Sequence, residues 1–144
     1  MQMERRKFLE SACKACLFAG AGLLISELTA CSPSSNVTKL PILGNTVRLP
    51  LTGFANGSLQ IVQPSGWLYN IAVRKTGTDQ FEALLMECTH QQNQLIANPN
   101  GFKCNLHGSQ FNLEGRVVKG PADLPLKKYK TSIDQDQLVI QLKF

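Results

Sequence analysis

An all-β architecture, an antiparallel sandwich or barrel base carrying a small subdomain, is what the residue pattern of this chain predicts. Apolar and β-branched residues recur in short runs with near-alternating character rather than at helical spacing. Turn-forming residues separate these runs every roughly 8 to 12 residues, as in sandwiches and barrels. Beyond residue 41 no stretch keeps a helical period over three turns.

The runs expected as strands are Thr46–Pro50, Leu59–Gln63, Trp67–Lys75, Phe81–Glu87 and Gln94–Ala97, followed by Gly101–Cys104, Gln110–Leu113, Arg116–Lys119, Tyr129–Ile133 and Gln137–Lys143. Their separators carry turn chemistry: Asn56-Gly57, Pro64-Ser65-Gly66, Gly77, Asn98-Pro99-Asn100-Gly101, Glu114-Gly115 and Asp134-Gln135-Asp136. Trp67, opening the longest run, is expected to pack in or at the edge of the core. Internal repeats and low-complexity segments are absent from the sequence.

A chain of 144 residues fits one domain. Its 43% hydrophobic and 17% charged residues are those of a globular protein and exclude a disordered one. The net charge of +5 is modest, and Lys127, Lys128 and Lys130 form its only dense basic group. That group reads as a solvated strand end, with a docking patch for an acidic partner as the alternative. Nucleic-acid binding is excluded, because no basic run is interleaved with aromatics.

Residues 1–30 are built differently. Glu4-Arg5-Arg6-Lys7-Phe8-Leu9 supplies a basic opening, Ala15 to Ser26 an apolar stretch, and Leu28-Thr29-Ala30-Cys31 a small-residue close. This order is that of a secretory signal peptide. The arginine pair with Phe8 and Leu9 resembles a twin-arginine export signal, and Leu28 to Cys31 resembles a bacterial lipobox. That resemblance implies cleavage before Cys31, lipid on its sulfur, and an exported, membrane-anchored lipoprotein of the periplasm. The alternative is an uncleaved transmembrane anchor, but Lys14 and Glu27 bracket only 12 residues, where a spanning helix needs about 20. Residues 31–41, polar and proline-punctuated, are expected as a flexible tether, with the folded domain at 42–144.

Cys13 and Cys16 form a C-x-x-C pair inside the expected signal, where they read as small apolar residues. With Cys31 assigned to lipid, Cys88 and Cys104 remain. The chain has only two histidines, and both lie beside these cysteines, in Cys88-Thr89-His90 and Cys104-Asn105-Leu106-His107, with 13 residues between His90 and Cys104. Thiolates and imidazoles suit zinc or an iron–sulfur cluster. Structural zinc sites favour paired ligands of one kind in each loop. Here each loop offers one sulfur and one nitrogen. Two inequivalent irons, one taking two cysteines and the other two histidines, suit that arrangement. A disulfide between Cys88 and Cys104 is the remaining alternative, but it leaves both histidines unexplained.

From Cys88 to Ala122 the chain resembles the Rieske iron–sulfur family. The carrying features are Cys88-Thr89-His90, Cys104-x-x-His107-Gly108-Ser109, and Gly120-Pro121-Ala122, which is similar to that family's proline loop over the cluster. The resemblance implies a [2Fe-2S] cluster in a subdomain at about residues 86–121. It places Cys88 and Cys104 on the inner iron, and His90 and His107 on the outer, more exposed one. It also implies one-electron transfer coupled to proton transfer at the exposed histidines, with no catalytic residue of the chain's own. Redox proteins are the implied partners, with quinol and a cytochrome among the candidates.

Departures from the high-potential, quinol-oxidising branch are visible. That branch resembles C-T-H-L-G-C and C-P-C-H-G-S-x-Y, with a disulfide joining its two extra cysteines. Asn93 and Leu106 stand at those positions here, and Gln91 and Gln92 replace the Leu and Gly. Three residues are expected to tune the cluster: Ser109 as a hydrogen-bond donor, Phe111 in place of the tyrosine that would be a second, and Pro121 in the covering loop. Hydrogen bonds to cluster sulfurs favour the reduced, more negative state, so one donor rather than two predicts an intermediate potential. Phe111→Tyr is expected to raise the midpoint in a redox titration, and an unchanged or lower value would refute this. Two further roles stay open: a subunit of a quinol-oxidising bc-type complex, or of a periplasmic molybdenum oxidoreductase such as an arsenite oxidase.

Overall fold

The computed structural model describes residues 37–143. The expected signal, Cys13, Cys16, Cys31 and the tether up to Asn36 lie outside them. Twelve strands follow one another: β1 Val37–Leu40, β2 Ile42–Leu43, β3 Thr46–Pro50, β4 Leu59–Pro64, β5 Ile71–Lys75, β6 Phe81–Leu85, β7 Ile96–Asn98, β8 Gly101–Lys103, β9 Gln110–Phe111, β10 Val117–Lys119, β11 Lys128–Asp134 and β12 Gln137–Gln141. The only helical element among the described residues is a 3-10 turn at Leu51–Phe54.

Eight strands form one sheet in the order β1-β4-β5-β6-β11-β12-β3-β2, and four form a second in the order β10-β9-β8-β7. All pairings are antiparallel except β1 with β4. The two edge strands of the large sheet, β1 and β2, are joined by Pro41 alone, so the sheet nearly closes into a barrel. Closure of this kind hides sheet edges from other chains.

Strands β4 to β6 bury both faces, which explains their near-continuous apolar runs. Val62, Ile71, Val73, Ala83 and Leu85 point into the barrel with Val47, Leu49, Leu138 and Ile140. Their neighbours Ile61, Ala72 and Leu84 point outward into a second core with Met86, Cys88, Leu95, Phe102, Cys104, Phe111, Ala122 and Leu126. The period of two along each strand therefore alternates between two cores rather than between core and water. The small sheet is seated on the barrel through that second core.

Besides shifted strand ends and the short, unexpected β2, the structure differs from the sequence expectation at β1 and at Trp67. Residues 37–41, expected as the end of a flexible tether, hold strand β1, with Val37 to Leu40 pairing in parallel with Ile61 to Pro64. Four residues are too few to show a period, and their partner lies over 20 residues away. Trp67 does not open a strand. Its N–H donates to the Pro64 carbonyl at 3.0 Å in a turn, and β5 begins only at Ile71. Its ring still packs, half-buried, against the barrel core, 6.1 Å from the ring of Tyr129.

Candidate metal centre

Three segments at one end of the molecule meet around the cysteine–histidine set. The first runs from the end of β6 to β7. Its base is closed by the bridge between Glu87 and Gln94, by Cys88 N–H to the Asn93 carbonyl, and by Leu95 N–H to the Met86 carbonyl, both at 2.9 Å. The second joins β8 to β9. Cys104 N–H donates to the Ser109 carbonyl at 2.9 Å, and Gly108 N–H donates to the Cys104 carbonyl at 3.1 Å. Gly108 sits at φ +80°, a conformation that side-chain-bearing residues rarely adopt.

Each loop is thus a hairpin tip with its cysteine at the closed base and its histidine near the apex. Burial follows: Cys88 and Cys104 are 2% and 1% exposed, while His90 and His107 are exposed. The two imidazole rings stand 5.0 Å apart, edge to face at 86°. Spacing produces this, because two or three residues carry the chain from the inner layer to the surface of a tight turn.

The third segment, from Gly120 to Leu126, is tied to both loops. It contains the cis peptide bond Gly120-Pro121. Ala122 N–H donates to Ser109 Oγ at 3.1 Å, and Thr89 Oγ1 donates to the Leu124 carbonyl at 2.7 Å. Ser109 is fully buried; a hydroxyl that accepts here still has one O–H to donate. Phe111 is buried in β9, and Pro121 is exposed on the covering segment. Cys88, His90, Cys104, His107, Ser109, Phe111 and Pro121 are therefore brought to one end of the fold.

The thiols are free, with no disulfide between them. Burial works to raise the Cys104 thiol. Backbone N–H groups of Leu106 and His107, the Cys88 thiol and the Asn93 amide oppose it, and the net effect holds Cys104 below the ordinary thiol range. Such a thiol gives up its proton readily to become a metal ligand. Two sulfurs inside and two nitrogens outside fit a dinuclear cluster with one pair on each metal.

Beside His90 a groove of about 320 Å³ runs between the first loop and Leu124 and Lys127. Leu106, next to His107 in the chain, and Leu124, which shares the groove with His90, are 53% and 61% exposed. Two of the three lysines in the dense basic group have structural partners: Lys128 Nζ pairs with Glu82 at 2.9 Å, and Lys127 Nζ lies 5.8 Å over the Tyr129 ring. Sequence reasoning missed the roles of Asn93, Thr89 and Leu124 as ties between segments. Asn93 was at least visible as an unusual residue at a staple position; Leu124 left no sequence signal.

Residues 55–130 match the family of the Rieske [2Fe-2S] domain. Over 71 residues the chain is 41% identical to the chloroplastic cytochrome b6-f complex iron-sulfur subunit of Volvox carteri, covering 48% of this chain and 34% of that protein. It is 37% identical over 73 residues to the cytochrome b6-f complex iron-sulfur subunit of Chlorobaculum thiosulfatiphilum, with 49% and 39% covered. The chain thus spans between a third and two fifths of the length of these curated relatives. Among solved structures, the plasma membrane Rieske protein of the cyanobacterium Synechocystis is similar in fold, with a TM-score of 0.53 at 22% identity over 64% of this chain and 94% of that one. A chain of a hyperthermophilic respiratory Complex III is similar at a TM-score of 0.50 and 16% identity, over 92% of each.

Proposed function

The chain belongs to the Rieske [2Fe-2S] domain family, and from that premise we propose that it is a one-electron carrier, exported and held at a membrane surface. Its cofactor is a Rieske-type [2Fe-2S] cluster with two cysteine and two histidine ligands. In this reading the ligands are Cys88 and Cys104 from the inner layer and His90 and His107 from the outer. The observation that carries it is the pair of buried thiols beneath two exposed imidazoles 5.0 Å apart.

When bound, the cluster supplies a site that takes up and releases one electron. The chain's residues do the rest. The second core keeps water from the sulfurs, and the hairpin bases fix the thiols where burial is deepest. At the surface, each imidazole can hold a proton on the nitrogen that does not face the metal, so charge added inside can be compensated outside. Leu106 and Leu124 give the partner an apolar rim to dock on while the imidazoles stay accessible.

A second reading, a subunit of a quinol-oxidising complex, is favoured by the relatives' own description as cytochrome b6-f complex iron-sulfur subunits. Gln91, Gln92, Asn93 and Leu106, where that branch has other residues, speak against it. Export and lipid attachment at Cys31 rest on the twin-arginine and lipobox resemblance. Labelled fatty acid should enter the full chain and fail to enter C31A; equal labelling of both would refute the anchor.

The deciding experiment for the electron carrier is a redox titration of the iron-loaded chain followed by electron paramagnetic resonance, repeated from pH 6 to 10. A Rieske signal with a positive midpoint that falls at alkaline pH supports the quinol-linked reading. A midpoint near or below roughly −100 mV, toward the low end for Rieske centres, supports a ferredoxin-like carrier. Silence from iron-replete, reduced protein would overturn both.

A further inference from the structure

Asn93 occupies the point where the two ligand loops come together. Its backbone carbonyl accepts the Cys88 N–H at 2.9 Å, closing the first loop. Its side-chain Nδ2 donates to the Gln94 carbonyl at 3.2 Å and to Cys104 Sγ, on the second loop, at 3.6 Å. The longer distance suits the larger radius of sulfur. A carboxamide has two N–H donors, and both are accounted for here. The Gln94 carbonyl can only accept, and so can a Cys104 sulfur that ligates metal as a thiolate, so both favour Nδ2 on that side. The sequence expectation assigns a tuning hydrogen bond to Ser109 and none to Asn93.

We propose that the Asn93 carboxamide is a positioning and tuning residue of this chain: it clamps the two loops non-covalently where a staple disulfide would otherwise join them, and it stabilises the reduced cluster by donating to the Cys104 sulfur. The proposal rests on the Rieske reading above. Its physical basis is charge. Reduction adds one negative charge, part of which resides on the ligand sulfurs, so an N–H dipole aimed at a sulfur is worth more to the reduced state than to the oxidised one. The amide is half-buried, where solvent screens that dipole less than at the surface. A residue that merely filled space at this point would hold the loops but leave the potential where it is.

The test uses the full, iron-loaded chain and three variants: N93L, which keeps the shape and removes the donors, N93A, which removes the bulk as well, and N93D, which turns an oxygen acceptor toward the sulfur. Each is first checked for iron content and for its paramagnetic resonance signal, then titrated. N93L and N93A should shift the reduced-to-oxidised equilibrium toward the oxidised form by roughly three- to tenfold, a tenfold change being 59 mV for one electron. N93D should lie lower still, and all three should lose iron to a chelator severalfold faster than the wild type. Unchanged midpoints in variants that retain the signal would overturn the tuning role of Asn93 while leaving the Rieske reading intact. Failure of all three variants to fold and load iron would also overturn it, by making Asn93 a folding residue. Silence from the wild type itself would remove the Rieske reading, and this proposal with it.

Discussion

The barrel and the cluster-binding end are held together by different means. Barrel strands β3, β4, β5, β6, β11 and β12 run for five to seven residues and are locked by side chains such as Val47, Val62, Ile71 and Ile140, each with no measurable exposure. The strands of the small sheet run for two or three residues. The segment that covers its ligand loops is tied to each of them through one side-chain hydrogen bond, Thr89 to Leu124 and Ala122 to Ser109. A barrel of this kind stabilises itself by apolar burial. The other end places two thiols, Cys88 and Cys104, in its core.

Removing the cluster should separate the two regions most. Replacing Cys104 by Ser should abolish the cluster signal altogether. Hydrogen exchange should then accelerate at the amides of Cys88, Leu95 and Ala122, while those of Val62, Val73 and Ile140 keep their protection. Equal acceleration in both sets would show that the two regions are one cooperative unit. The converse break is in the barrel: Leu138→Ala should cost about 2–5 kcal/mol in denaturant unfolding, because Leu138 is 1% exposed. The midpoint potential of the folded variant should stay put.

Alkali supplies a smaller and more selective test. Burial, reinforced by the charge of Glu87, pushes the Tyr129 phenol up to about 12, against about 10 in an unfolded chain. Between these values the unfolded state loses its proton while the folded state keeps it. Stability is therefore complete below pH ~10 and falls as pH rises toward 12, by on the order of 2 kcal/mol. Tyr129→Phe should flatten that fall, and an identical alkaline profile would refute the assignment.

The smallest expected effect lies at the seam. Arg74 on β5 binds Glu82 on β6 at 2.7 Å and Glu114, in the β9–β10 turn of the small sheet, at 2.9 Å. Lys128 is the leading cause, with Arg74 assisting against burial, that holds the Glu82 carboxyl below its usual range. Glu114→Gln removes the one link in this network that crosses between the regions. Its side chain is 43% exposed, so thermal unfolding should register only about 0.2–1 kcal/mol, less at high salt. A larger loss would mean that the seam, rather than the second core, joins the two parts.

The all-β class was legible from the residues alone, because alternating and β-branched runs between turn residues have one economical reading. The sequence also marked a metal site, because the chain's only two histidines stand near two cysteines, and the resemblance of those motifs to the Rieske family singled out the [2Fe-2S] cluster from zinc. Strand limits were legible where register and burial agree, as at Thr46–Pro50, and blurred where turns replace pairing, as at Trp67. The relations between distant segments were set by the folded chain. Strand β1 exists because β4 offers it an edge. The runs Ile71-Ala72-Val73 and Ala83-Leu84-Leu85 are apolar throughout because a second core covers their outer face. Asn93 meets Cys104 across 11 residues of chain, and Thr89 meets Leu124 across 35. Periodicity and ligand spacing are local properties that a chain carries along its length. Contacts between loops depend on how strands stack and twist, and a side chain's partner is set only once the backbone has closed around it.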